Sequence, residues 1–246
     1  MYFGTRFSDL REVMKNLLTN GKYSDLTISC EGTDFKVHRA VICSQSTFFD
    51  AAVNSGFREA ASSRIDLPED DVDTITRVLT YCYLQHYPVG NEPDTSSFPL
   101  PLLYTEPTTG PSSVTIAQSH LRVYIAADKF NIPNLKELAR CQLVHWAYEN
   151  WSSASFPSIV QDIWCNTPLH DNDLRDRITG IVAENIQHFL AHADGKSVLI
   201  NNAESAVAVL KLVADREAQL KAAMPAKRRK STLSSSAGTK AQSPGS

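Results

Sequence analysis

Long apolar runs are missing from this chain. No stretch approaches the ~20 consecutive apolar residues that cross a bilayer as a helix. The N-terminal MYFGTRFSDLREVMKNLL is interrupted by charges and lacks the continuous apolar core of a signal peptide, so a cytosolic or nuclear protein with no membrane partner is expected. An excess of either charge is missing too. The net charge is −3, from Lys+Arg 24 against Asp+Glu 27, which leaves no electrostatic case for direct nucleic-acid binding. Cysteine is sparse: Cys30, Cys43, Cys82, Cys141 and Cys165 are widely spaced, odd in number and mostly on apolar phases. Reduced, buried thiols are expected rather than a disulfide framework. Catalytic signatures are absent. There is no Gly-x-Ser-x-Gly elbow, no Walker loop and no dinucleotide fingerprint, so neither an enzyme nor a cofactor is expected. One glycosylation sequon, Asn150-Trp151-Ser152, lacks a secretory context and reads as chance.

What is present is concentrated between Tyr23 and Leu67. Asp25 to Cys30 alternates apolar and polar residues, the period of a strand with one buried face. Glu31-Gly32 supplies a turn, and Thr33 to Val37 alternates again, so 25–30 and 33–37 read as a β-hairpin. A helical period runs through His38 to Ser44. Ser46 is placed to cap a second short helix bearing Phe48, Phe49, Ala52 and Val53, with Gly56 as its stop. Ile65 and Leu67 mark a third strand over 64–67. From Asp70 the pattern is helical, with Val72, Ile75, Val78, Leu79 and Cys82 on one face and Glu69-Asp70-Asp71 complementing the helix N-terminus.

This order of hairpin, helical hairpin, strand and helix closely resembles the BTB/POZ domain. YSDLTI, FKVHRAVICSQSTFF, NSGF and IDLPEDD carry the likeness, and YIAADKFNIPNLKELARCQL is similar to the terminal helix pair of that family. The resemblance implies an α+β fold: a small three-stranded sheet clasped by helices, followed here by an all-α extension. It also implies a protein-interaction role and a homodimer. The helical C-terminal region resembles that of BTB proteins of filamentous fungi and, in order only, the segment following BTB in cullin adaptors.

The chain divides accordingly. Residues 1–21 hold an amphipathic helix over 8–20, with Leu10, Val13, Met14, Leu17 and Leu18 at helical spacing and Asn20-Gly21 ending it. Residues 22–148 form the BTB-like unit. Its span 85–118 carries six of the chain's 12 prolines and reads as a surface insertion, with disorder the expected state. Helical order is expected again from Ser119, with Asn134 and Glu137 as a capping box for the next helix. Residues 149–222 show three amphipathic patterns, the last placing Val207, Leu210, Val213 and Ala214 on its apolar face. Residues 223–246 are a basic, Ser-rich tail, expected to be disordered.

Four groups of residues invite a functional reading. The resemblance places Asp25, His38 and Arg39 at the border of the dimer contact and its groove, with a basic partner expected for Asp25; the alternative is that Asp25 is a solvent-facing strand residue and His38 starts a helix. It also places Phe57 and Glu59, in the triplet Phe57-Arg58-Glu59, where cullin-binding relatives carry a hydrophobic-x-Glu contact. The alternative for Phe57 is a core anchor. Lys227, Arg228, Arg229 and Lys230 look like a nuclear import signal, which equally suits non-specific RNA contact. Finally, Cys82-x3-His86 and Cys141-x3-His145 would suit tetrahedral zinc by spacing alone. Structural zinc sites usually carry a tight knuckle, absent here, so no metal is expected.

Overall fold

The computed structural model describes residues 9–54, 62–89, 112–168 and 171–223. Helix α1 (Leu10–Asn20) opens with Asp9, whose carboxylate accepts the Arg11 amide at 3.2 Å. It closes on Gly21, whose φ of 59° turns the chain left-handed while its N–H bonds the Leu17 carbonyl. A β-carbon there would sit 2.8 Å from Lys36 Cβ, so glycine alone allows this turn to press on the sheet.

Strands β1 (Leu26–Cys30) and β2 (Thr33–Val37) pair antiparallel, with Leu26 opposite Val37 and Ile28 opposite Phe35. After α2 (Arg39–Ile42) and α3 (Thr47–Asn54), β3 (Arg64–Asp66) returns parallel to β1, aligning Ile65 with Ile28. A parallel return needs a crossover, and the two short helices belong to it. Leu67, expected inside the third strand, lies one residue beyond it yet is buried. Ser46 caps α3 as expected, accepting the Phe49 amide at 3.1 Å, and donates to the Phe130 carbonyl at 2.6 Å. That second bond ties α3 to the far end of the unit, where the Phe49 and Phe130 rings stack 5.0 Å apart.

Helix α4 (Val72–Leu84) is capped by Asp71 and packs against α1 and α2. Helix α5 (Ser113–Lys129) begins six residues before Ser119, inside the span read as insertion. Ser112 caps it, accepting the Thr115 amide at 3.2 Å, so a polar Ser-Ser pair that resembles loop composition is the start of a helix. Helix α6 (Pro133–Asn150) corrects two expectations. Pro133 occupies its first turn and no side chain caps it; Glu137 instead pairs with Arg140 at 2.5 Å. The helix also runs through residue 148, so the proposed boundary falls within an element.

The extension comprises α7 (Phe156–Asn166), α8 (Asn172–Glu184), α9 (Ile186–Ala191), α10 (Gly195–Asn201) and α11 (Ala203–Ala223). Helix α7 packs on α5, α8 on α6, and α11 on α8. Leu174, Ile178, Ile181 and Val182 lie on α8 and Ile186 and Phe189 on α9, the two helices meeting at Asn185. In α11 only part of the expected face points inward: Val213 packs against the core, Val207 and Leu210 are 50% and 64% exposed, and Ser205 and Val209 are buried instead. No single helix among the described residues is long and apolar enough to cross a membrane; α10 and α11 meet at 112°. Two thiols also depart from expectation, since Cys141 and Cys165 are exposed.

A buried histidine makes the unit acid-sensitive. His120 lies 2.9 Å from the Tyr87 hydroxyl, with Arg77 nearby. Burial, reinforced by the Arg77 charge, lowers its pKa to about 4. A depressed histidine leaves stability intact above the unfolded value near 6.5 and erodes it as pH falls towards the folded value. Between pH 6.5 and 5, above most carboxylate titration, the loss is about 2 kcal/mol. Urea unfolding at these two pH values should show that difference, and His120→Gln should remove most of it.

Candidate protein-interaction site

The turn from α1 into β1 and the start of α2 form one corner of the sheet, and the structure brings Asp25, His38 and Arg39 together there. Asp25 donates its amide to the Val37 carbonyl at 3.2 Å, and its exposed carboxylate accepts the Arg39 amide at 2.8 Å. The expected basic partner is thus a main-chain N–H: Asp25 satisfies the first turn of α2, whose own cap residue His38 offers no side-chain bond to it. The His38 ring is occupied on both nitrogens. Its Nε2 lies 2.8 Å from the Lys22 carbonyl, which can only accept, so Nε2 carries the proton. The Tyr83 hydroxyl then donates to Nδ1 at 2.7 Å while accepting the His38 amide at 2.9 Å. Burial drives the Tyr83 phenol up to about 12, so it stays a neutral donor. Arg39 donates to the Ser63 hydroxyl at 2.8 Å, and its buried Nε has no hydrogen-bond partner.

Apolar side chains are exposed on α1 and on the turn that follows it, beside the charges of Lys22 and Asp25. Leu10 is 73% exposed and Val13 37%, although α1 seats Leu18 in the core. Tyr23 is 77% exposed and holds a φ of 65°, a conformation that costs a bulky residue roughly 1–2 kcal/mol. Lys22 Nζ sits 4.8 Å from the Tyr23 ring centroid. Asp25 and His38 are thus spent on holding the shape of the corner, while Tyr23 leaves an aromatic ring exposed beside it.

Other expected sites fare differently. Phe57, Arg58 and Glu59 lie outside the described residues, as do Lys227 to Lys230. The zinc spacing assembles nothing: Cys82 is buried on α4 with its thiol raised to about 12 by desolvation. Cys141 is exposed against Glu137, and His145 pairs with Glu149 at 3.3 Å. Among the described residues no group of three or more metal-ligating side chains occurs.

Sequence reading missed the joint between the BTB-like unit and the extension. Asp171, at the start of α8, is buried and accepts the Tyr124 hydroxyl at 2.8 Å to both carboxylate oxygens. Lys136 reaches the same carboxylate at 3.1 Å and lies 5.0 Å from the centre of the Tyr124 ring. Arg175, also buried, donates to the Trp164 and Thr167 carbonyls at 2.7 and 2.9 Å and to the Ser205 hydroxyl at 2.8 Å. Its signal was available: a basic residue beside Leu174, within the apolar phase of a helix, demands internal partners.

With this geometry in place, comparison with known proteins is informative. The BTB/POZ domain family model matches residues 14–145. Kelch-like protein 40 of Xenopus laevis is 31% identical over 74 residues, 30% of this chain and 12% of that protein. Kelch repeat and BTB domain-containing protein 2 of Pongo abelii is 22% identical over 173 residues, 66% of this chain and 27% of its own. Kelch repeat and BTB domain-containing protein 4 of Mus musculus is 28% identical over 144 residues, 55% and 27% of the two chains. The chain thus spans between 12% and 27% of the length of these relatives. The BTB (Tramtrack and Bric a brac) domain of human Gigaxonin superposes with a TM-score of 0.35 at 16% identity, over 56% of this chain and 97% of that one. These comparisons do not show the expected likeness to BTB proteins of filamentous fungi. BTB/POZ domains are non-enzymatic protein-interaction modules. With the family pattern matched over more than half of its length, the chain belongs to the BTB/POZ domain family.

Proposed function

We propose that this protein self-associates through the α1 side of its BTB unit and recruits other proteins through its helical extension. The observation that carries the reading is the exposure of Leu10 and Val13 on α1 and of Tyr23 next to the bonded Asp25 and His38. Apolar side chains on a rigid frame, with little ordering left to pay, suit burial against a second copy. Asp25, His38 and Arg39 would frame that contact. Sedimentation at tens of micromolar, where association worth about 8 kcal/mol already populates dimers, should give a dimer. Leu10→Glu with Val13→Glu should shift it to monomer with an unchanged melting temperature, both side chains being exposed. A wild-type monomer at that concentration rules the reading out.

A second reading is an adaptor of a cullin-based ubiquitin ligase, supported by the similarity to Kelch-type BTB proteins and by the Phe57-Arg58-Glu59 triplet. Phe57 and Glu59 would supply the cullin contact. Within this sequence, substrate capture would fall to the helical extension or to the Pro-rich span 85–118. Co-purification of a cullin with the tagged chain, lost on Phe57→Ala, is the observation that would put this reading first. A nuclear regulatory role rests on Lys227 to Lys230 alone, and deletion of those residues with imaging of the tagged chain tests it.

A further inference from the structure

Helix α9 ends in two histidines that neither the fold nor the interaction corner uses. His188 Nδ1 and His192 Nε2 stand 3.2 Å apart, their ring centroids 4.8 Å apart. His188 is exposed and His192 half-buried. The frame beneath them is set by main-chain bonds, the His192 amide donating to the Phe189 carbonyl at 3.3 Å and the Gly195 amide to the His192 carbonyl at 3.2 Å. The Trp151 indole packs edge-on against His188, the ring centroids 5.2 Å apart.

We infer that His188 and His192 form an open two-imidazole chelate for a divalent transition-metal ion, with Cu2+ the tightest binder. Two nitrogens 3.2 Å apart, each at a bond length of about 2.0–2.1 Å, subtend about 100° at the metal, close to both tetrahedral and cis-octahedral angles. Imidazole suits copper, zinc and nickel, and the affinity order for divalent ions peaks at copper. The proton accounting is simple. The hydrogen shared between the facing nitrogens moves to the far nitrogen of its own ring, both lone pairs turn to the metal, and the neutral pair releases no proton. The described residues add no third side-chain ligand, so water or a partner's donor completes the coordination. The other described histidines differ: His38 is bonded on both nitrogens, His86 contacts Arg11, His120 is buried and His145 faces Glu149.

The test is a titration of the full chain with Cu2+ alone, read by tryptophan emission, because Trp151 touches one ligand and paramagnetic copper quenches at short range. Quenching should saturate at one equivalent. His188→Ala and His192→Ala should each raise the apparent Kd at least tenfold, while His145→Ala leaves it unchanged. The electron paramagnetic resonance spectrum should show two coupled imidazole nitrogens in the wild type and fewer in either variant. Because His188 is exposed, His188→Ala carries the test even where His192→Ala lowers stability. An unchanged midpoint in His188→Ala, or an equal loss in His145→Ala, overturns the assignment.

Discussion

Asp171→Ala lowers the unfolding free energy by about 2–3 kcal/mol, because it strands a buried phenol and takes one of two carboxylates from a half-buried lysine. The Asp171 carboxylate is the acceptor for the Tyr124 hydroxyl and for Lys136, one from α5 and one from α6, while Asp171 itself opens α8 of the extension. Removing it leaves the buried Tyr124 hydroxyl without its acceptor, while Lys136 keeps Asp128 at 2.9 Å. One hydrophobic cluster runs from Leu18 through Trp146 to Val209, so the wild type should unfold in a single transition. The variant should separate into two, the extension melting first, and limited proteolysis should cut between residues 151 and 172. Tyr124→Phe, which removes one donor and keeps the ring, should cost only about 1–2 kcal/mol. A single transition with wild-type midpoint in Asp171→Ala would show that apolar packing alone joins the two parts.

The pH dependence of this joint has a definite sign. Burial pulls the Lys136 pKa down, but its bonds to Asp128 and Asp171 outweigh this and the net direction is up. A raised lysine contributes fully below the unfolded value near 10.4 and is lost as pH climbs through the folded value. Burial and the Asp171 bond raise the Tyr124 phenol as well. Both groups therefore hold the joint through neutral pH and weaken it only in alkali, opposite to the acid sensitivity of His120.

Arg175→Ala should cost about 3–5 kcal/mol, from three charge-assisted bonds lost and the two buried carbonyls they leave bare. Its guanidinium joins the end of α7, through the Trp164 and Thr167 carbonyls, to Ser205 on α11. Arg175→Lys keeps the charge but loses the planar fork, so it should recover less than half of the loss. Urea denaturation of the three proteins checks the order. If lysine restores wild-type stability, charge rather than fork geometry holds these helices.

Much of this fold is legible because local chemistry specifies it. The alternation of Leu26, Ile28 and Cys30 against Phe35 and Val37 sets the hairpin register, and Glu31-Gly32 turns it. Ser46, Asp71 and Gly21 mark helix ends because each supplies a bond or a backbone angle that its neighbours cannot. The candidate corner was reached through Asp25, His38 and Arg39, although the roles of their side chains were not. That Asp25 caps α2 and that His38 is clasped by Tyr83 and Lys22 depends on residues 14 to 45 positions away.

The elements that escaped prediction share a cause. Helix α5 starts at Ser113 because Ser112 caps it and Trp146, from α6, donates to the Ser113 hydroxyl at 2.7 Å; Ser-Ser after proline reads locally as loop. Helix α11 is apolar on more than one face, so its period fits Val207 and Leu210 as well as Val209, and contact with α8 chose the latter. The residues alone determined the elements whose capping and period are satisfied within a few positions, and with them the BTB/POZ pattern. Strand direction, the phase of α11, and the Asp171 and Arg175 joints were decided in tertiary structure. A buried charge or a helix face apolar on two sides has no preferred partner until another element supplies one.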